Sequence, residues 1–216
     1  NVRFGHVEAG LRTNDKRRPF PEEINRRLAD AAADAYFAPT ERARRALLAE
    51  GFSNSAIHVT GNTIVDALLA ISKRELEWEK SLLKKLPRQG RKVLITAHRR
   101  ESFGAPFREL CQAIRDLAGA FPDTRFIYPV HLNPNVRRPV GEILSGLDNV
   151  HLIEPLDYLT LVQLMKHSAL ILTDSGGIQE EAPTFGVPVL VMRDTTERPE
   201  GVEAGVARLV GTRREK

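Results

Sequence analysis

His98-Arg99-Arg100-Glu101 comes just after Lys92-Val93-Leu94-Ile95-Thr96, an apolar run rich in β-branched residues. A histidine that titrates near neutrality can donate to a phosphate or carry a proton. Arg99 and Arg100 can fork onto phosphate oxygens. A strand that ends in such a turn puts these groups at the C-terminal edge of a sheet, where open α/β sheets bind ligands. Leu172-Thr173-Asp174-Ser175-Gly176-Gly177 repeats the geometry with different chemistry. Here a strand runs into a Gly pair that opens a helix, which brings backbone N–H groups and a positive helix end to an anion. An acid early in that helix, Glu180 or Glu181, is placed for sugar hydroxyls. The pattern is neither the dinucleotide G-x-G-x-x-G nor a P-loop. One cationic and one Gly-rich strand end in a single sheet imply a diphosphate-bearing ligand. Taken singly, the first is also an ordinary surface turn and the second an ordinary βα loop.

Two further stretches carry acids and arginines. In Gly5-His6-Val7-Glu8-Ala9-Gly10-Leu11-Arg12-Thr13 a strand end gives way to an acid, a Gly turn and an Arg. Glu8 reads either as a proton-transfer group or as an exposed loop acid. In Arg17-Arg18-Pro19-Phe20-Pro21-Glu22-Glu23-Ile24-Asn25-Arg26 two prolines precede a helix. Glu22 then either compensates the helix dipole or does chemistry, and Arg26 either pairs with Glu22 one turn away or reaches a phosphate. Three more loops fall at strand ends: Tyr128 to Asn135, Pro155 to Tyr158 (an apolar shelf for a base) and Arg193 to Glu200. The six His and one Cys lack metal-ligand spacing, and there is no G-x-S-x-G nucleophile elbow.

The elements that position these residues alternate between strand and helix. Residues 1–60 read as the C-terminal part of a first Rossmann-like domain. A strand ends at Val7, and a helix over Pro21–Ala35 carries Ile24, Leu28, Ala31 and Ala35 on one face. A short strand follows at Ala35–Ala38, then a helix capped by Thr40 and stopped by Gly51, then a strand at Ala56–Thr60. Residues 61–91 read as a hinge helix, Ile64 to about Leu83, and a polar linker that includes Lys84, Lys85, Pro87, Arg88, Gln89 and Gly90. Residues 92–216 read as a second Rossmann-like domain. Its strands are Lys92–Thr96, Arg125–Val130, Val150–Glu154, Ala169–Thr173, Pro188–Met192 and Val206–Val210, and its first helix bears a stripe of Phe107, Leu110, Cys111, Ile114, Leu117 and Ala118. Near-continuous apolar strands alternating with helices predict a parallel sheet covered on both faces. The first strand lacks an earlier partner and the last lacks a closing helix, so the chain is expected to be a fragment with an incomplete first domain.

The 216 residues are 42% hydrophobic and 28% charged, ordinary for a globular protein. No apolar run approaches the roughly 18 residues of a membrane span. The net charge of +4 comes from 32 basic residues scattered among 28 acidic ones, without a basic tract, which argues against a nucleic-acid partner. The single Cys111 excludes an internal disulfide and fits a reducing, cytoplasmic compartment.

At these residues the chain resembles the non-hydrolysing UDP-N-acetylglucosamine 2-epimerases. The matching stretches run in order: His6 to Thr13, Pro21 to Arg26, Gly61 to Leu68, Thr96 to Gly104, Pro129 to Pro134, Asp174 to Pro183 and Arg193 to Pro199. The resemblance implies two Rossmann-like domains in the GT-B arrangement with the active site in the cleft between them. It implies interconversion of UDP-GlcNAc and UDP-ManNAc, by anti elimination of UDP to 2-acetamidoglucal and syn re-addition. Glu8 and Glu22 match the family's catalytic carboxylates and His98 its catalytic or phosphate-binding histidine. Ser175, Gly176 and Gly177 match its diphosphate loop, Glu181 its ribose-binding acid, and Arg26 and Arg198 its site arginines; Arg99 joins them as a substrate-binding residue. No metal or nicotinamide cofactor is implied, and a homodimer is. A further catalytic Asp would lie upstream of Asn1, so the isolated 216 residues are expected to be inactive while still holding UDP. A His-Ile-x-Gly-Gly-Glu stretch would mark the hydrolysing relatives; His6-Val7-Glu8-Ala9-Gly10 departs from it. A GT-B glycosyltransferase would share the UDP site without needing both Glu8 and Glu22.

Overall fold

The computed structural model describes residues 2–86 and 89–215, so the linker residues Pro87 and Arg88 lie outside the described residues. The chain is α/β and forms two compact units, Asn1–Asp66 with Thr195–Arg198, and Ala67–Asp194 with Pro199–Lys216.

In the first unit, strands β1 (Gly5–Val7), β2 (Ala35–Ala38) and β3 (Ile57–Val59) make a parallel sheet in that order. Helices α1 (Glu22–Ala32) and α2 (Glu41–Ala49) connect them. The Thr40 hydroxyl accepts from the Ala43 N–H at 3.1 Å and starts α2, as the sequence predicts. Ala9, Tyr36, Ala38, Ala43, Leu47 and Ile57 form the small core. Helix α1 departs from expectation. Its predicted apolar face is open, with Leu28 64% exposed. Its buried residues are instead Glu23 and Asp30. Each is buried because it is paired: Glu23 accepts from the Thr13 and Asn14 N–H groups, and Asp30 meets His6 and Arg12.

The second unit holds β4 (Lys92–Thr96), β5 (Arg125–Pro129), β6 (Val150–Ile153), β7 (Leu170–Thr173), β8 (Val189–Val191) and β9 (Ala207–Leu209). All are parallel, in the order β6-β5-β4-β7-β8-β9. Side chains alternate between two cores on the two faces of the sheet. Val93, Ile95, Phe126, Tyr128 and Leu172 pack on one face with α4 (Ala105–Ala120) and α5 (Pro134–Leu144). Leu94, Ile127, Ile171, Val189 and Val191 pack on the other with α6 (Tyr158–Lys166) and α7 (Ile178–Thr184). Of the α4 stripe only Leu117 stays open, 36% exposed beside an apolar trough that it lines with Leu172 and Leu190.

The division between the units falls within α3 (Thr63–Ser72). This helix stops eleven residues short of the expected Leu83, because the charged half that follows offers no continuous apolar face. The Gln163 amide takes the Arg74 carbonyl at 2.9 Å, ending the helical ladder. Short 3₁₀ turns at Trp78–Lys80 and Leu82–Lys85 then bring Trp78, Leu83 and Leu86 into the core, at a spacing no single helix face provides. A short helix, α8 (Pro199–Glu203), leads into β9.

Candidate functional site

Strand order reverses at β4 and β7: the chain runs from β4 outward to β5 and β6, then returns to β7 on the other side. Such a switch point opens a crevice at the C-terminal strand ends. The two predicted strand-end motifs leave from these two strands.

The β4 turn is held from both sides. On the β5 side, the fully buried Tyr128 donates its hydroxyl to the Ala97 carbonyl at 2.6 Å. Burial pushes this phenol well above its ordinary pKa, so it remains a donor. On the β7 side, one Asp174 oxygen, Oδ2, accepts the backbone N–H of His98 at 2.6 Å and of Arg99 at 2.7 Å. The Arg99 Nε donates to the Asp174 carbonyl at 2.8 Å. The Thr96 and Thr173 hydroxyls pair at 2.6 Å across the two strands. His98 is thereby fixed by its backbone while its ring is 44% exposed. That ring stacks on His131 from the loop after β5, with centroids 5.1 Å apart and planes 8° from parallel.

The Gly-pair loop follows. Ser175 donates its N–H to the Thr173 hydroxyl at 2.9 Å, and Gly177 is the residue before α7. A Cβ on Gly177 would meet no atom within 4 Å, so its backbone borders open space. One turn into α7, Glu181 is buried, and its Oε1 accepts from the Tyr158 hydroxyl at 3.0 Å. Burial raises the Glu181 pKa above the usual carboxylate value, and the Tyr158 hydrogen bond opposes that rise. Burial, with the bond to Glu181, pushes the Tyr158 phenol up to about 12. Tyr158, expected as an apolar shelf, is thus a hydrogen-bond partner of the acid.

The first unit gathers the remaining predicted residues. Glu8 follows β1 in the left-handed backbone region at φ +64°, which turns its side chain out of the strand register. Its Oε1 accepts from the Asn62 amide at 2.6 Å and lies 3.6 Å from the Arg198 guanidinium. Arg198 also holds Glu197 at 2.7 Å, and Arg26 lies 3.5 Å from the same Glu197 oxygen. Arg26 therefore does not pair with Glu22, the partner its spacing suggests. Glu22 Oε2 and Arg26 Nη1 are buried without a hydrogen-bond partner among the described residues. Buried polar atoms of that kind call for an explanation, and a polar ligand is one.

The Glu8 loop is tied down at both ends. Asp30 takes the His6 Nδ1 at 2.6 Å and the Arg12 guanidinium at 2.5 Å, and Arg12 also meets Glu50 at 2.8 Å. Burial works against the Arg12 charge, but the bonds and charges of Glu50 and Asp30 together outweigh it and raise the Arg12 pKa above its ordinary value. Gly10, at φ +81°, passes so close to α2 that a Cβ would clash with the Ala43 carbonyl.

The predicted residues thus fall into two groups. Glu8, Glu22, Arg26 and Arg198 lie in the first unit, and His98, Arg99, Ser175, Gly176, Gly177 and Glu181 in the second. Sequence reasoning passed over Asp174 as a clamp, Asn62 and Glu197 as partners of the Glu8 cluster, and Glu23 as a loop anchor. Each lies within a stretch singled out above, Asp174 as the first residue of its motif, but none was given its partner there. Among the described residues no cluster of His, Cys, Asp and Glu is fit to hold a metal, and no helix is long and apolar enough to cross a membrane.

With this geometry established, comparison with known proteins is specific. The family model for UDP-N-acetylglucosamine 2-epimerase matches residues 1–216. A probable UDP-N-acetylglucosamine 2-epimerase of Ralstonia nicotianae is 57% identical over 98% of this chain and 58% of its own length. The UDP-N-acetylglucosamine 2-epimerase of Escherichia coli K12 is 53% identical over 100% of this chain and 59% of its own. The crystal structure of the Neisseria meningitidis UDP-GlcNAc 2-epimerase, bound to UDP-GlcNAc, superposes with a TM-score of 0.92 at 46% identity, covering 99% of this chain and 59% of that one. The chain therefore spans a little under three-fifths of these relatives.

Proposed function

Because the chain belongs over its full length to the UDP-N-acetylglucosamine 2-epimerase family, we propose that it supplies the UDP-sugar site and two carboxylates of an enzyme that interconverts UDP-GlcNAc and UDP-ManNAc. The observation that carries this reading is the switch-point crevice, where Asp174 ties the His98-Arg99 turn to the loop of Ser175, Gly176 and Gly177. In this reading His98 and Arg99 meet the diphosphate from one side, and the backbone of Ser175, Gly176 and Gly177 meets it from the other. Glu181 keeps Oε1 on Tyr158 and offers its second oxygen to the ribose. Glu8 and Glu22 handle the proton at C2, with Arg26 and Arg198 offsetting negative charge near them.

The reaction is an elimination followed by a re-addition. A carboxylate takes the C2 proton as the C1–O bond breaks, giving 2-acetamidoglucal and UDP. UDP then adds back at C1 while a proton returns to the opposite face of C2. Holding the diphosphate through both steps is the work of the crevice, since a leaving group that escaped would end the cycle as hydrolysis. We place the enzyme in the cytoplasm as a homodimer, making a ManNAc donor for polysaccharide synthesis. The free, buried Cys111 supports the reducing compartment.

Proton NMR of UDP-GlcNAc in deuterated buffer, with the full-length protein that carries these residues, tests the proposal. Deuterium entering C2 together with new UDP-ManNAc signals is expected. Release of free ManNAc would mark a hydrolysing enzyme, and an unchanged spectrum would mark a transferase or a binding protein.

A further inference from the structure

We infer that Asp174 is the positioning residue for His98, fixing which nitrogen of its ring carries the proton as well as where the turn sits. This deepens the reading of the UDP site and rests on it for the ligand used below. The two oxygens of Asp174 are in different situations. Oδ2 accepts the His98 and Arg99 N–H groups, a pair that would satisfy a purely structural clamp. Oδ1 is buried and has no hydrogen-bond partner among the described residues. A desolvated carboxylate oxygen without a donor is costly, and the ring facing it is His98, whose Nδ1 lies 3.7 Å away. A small rotation of the exposed ring closes that gap.

An Nδ1–H held by a carboxylate leaves Nε2 as the atom that gives and takes protons, because the bond made by one ring nitrogen sets the state of the other. The neighbouring ring is set the opposite way. His131 Nδ1 accepts the Asn133 N–H at 3.1 Å, so its Nε2 carries the proton when the ring is neutral. The stack thus consists of two histidines in fixed and complementary tautomers. Because Asp174 leaves β7 directly before Ser175, the same carboxylate sets the His98 ring against the Gly-pair loop. Ligand binding on that loop and the state of His98 become coupled through one residue 76 positions away in sequence.

The test is the Asp174→Asn variant, which keeps a carbonyl oxygen for the two backbone N–H groups and removes the charge. Nitrogen NMR of the histidine side chains in the chain without ligand reads the tautomer directly, with His98→Gln identifying the signal. The wild type is expected to show His98 protonated at Nδ1, and the variant to show a mixture or the Nε2–H form. Titration with UDP is expected to show affinity lower by about tenfold, the size expected from losing one charge-assisted hydrogen bond. A His98 tautomer unchanged in Asp174→Asn would overturn the inference, whatever happens to stability or affinity. Should Asp174→Asn fail to fold, a wild-type His98 found protonated only at Nε2 would overturn it equally. Failure of the wild type to bind UDP would instead strike the functional reading, since the tautomer measurement needs no ligand.

Discussion

Two buried carboxylates invite opposite experiments. Asp30 is fully buried between His6 and Arg12, so removing it takes the buried partner from both and leaves Arg12 with Glu50 as its carboxylate. Asp30→Ala is expected to cost about 3–5 kcal/mol in urea unfolding, the usual result of breaking a buried pair. Glu50 holds the same guanidinium from a side chain 26% exposed, and Glu50→Gln is expected to cost under about 1 kcal/mol. Equal losses would show that Arg12 is not anchored through Asp30. Glu181 behaves in the other direction. Its pKa is raised by burial, so the folded state binds its proton more tightly than the unfolded chain does. Its contribution to stability is therefore greatest below the unfolded carboxylate pKa and falls as pH rises through the folded one. Glu181→Gln removes the ionisation and keeps an oxygen for the Tyr158 hydroxyl. It is expected to raise the melting temperature by about 2–4 °C at pH 8, as about 1 kcal/mol would in a chain of this size, and to change it little near pH 4. An equal gain at both pH values would mean that the ionised carboxylate carries no burial penalty. The same variant is expected to weaken UDP binding if Glu181 holds the ribose.

At the scale of elements, legibility in the sequence followed how locally each one is determined. The six strands of the second sheet were visible because burial on both faces leaves runs such as Val93-Leu94-Ile95 apolar throughout. The Thr40 cap was visible because capping is a three-residue event. The end of α3 was not, because the Gln163 amide that takes the Arg74 carbonyl lies 89 residues away. Nor was the buried face of α1, where Glu23 and Asp30 look like surface acids until the loop of residues 8–14 folds onto them. The site divides in the same way. The strand-end motifs were readable as motifs, while the clamp between them depends on β4 and β7 being neighbours. The β1–α1 loop depends on Gly10 just as strictly. With φ at +81° and a Cβ only 2.2 Å from the Ala43 carbonyl oxygen, Gly10→Ala must push the loop off α2. The variant is expected to lose over about 2 kcal/mol of stability, the sum of overpacking and left-handed strain. Glu8 is expected to leave Asn62, visible as a shift of the Asn62 side-chain amide in NMR spectra. An unmoved amide would show that the loop accommodates the methyl without displacing its acid.

Across the whole molecule, the two units differ in what holds them. Among the described residues the first has three short strands and a core of six buried residues, supplemented by polar ties at His6, Arg12, Thr13 and Asp30. The second has six strands with a large apolar core on each face. Apolar burial grows with the size of a compact unit, and small units are marginal, so local opening free energies should differ between them. Amides of β2, such as Phe37, are expected to exchange with solvent at least about tenfold faster than those of β4 and β7, as a gap of about 1.4 kcal/mol between opening energies would give. Heating should melt the first unit at a lower temperature. The functional consequence follows from where the groups sit. Glu8 and Glu22 would be lost first, while His98, Ser175 and Glu181 remain in place. On the proposed function, UDP binding by this chain is therefore expected to persist through a temperature range in which the first unit has already opened. Hydrogen exchange followed by mass spectrometry, paired with UDP titration across that range, checks both parts. Uniform protection, or UDP binding lost as soon as β2 opens, would mean that the two units unfold as one.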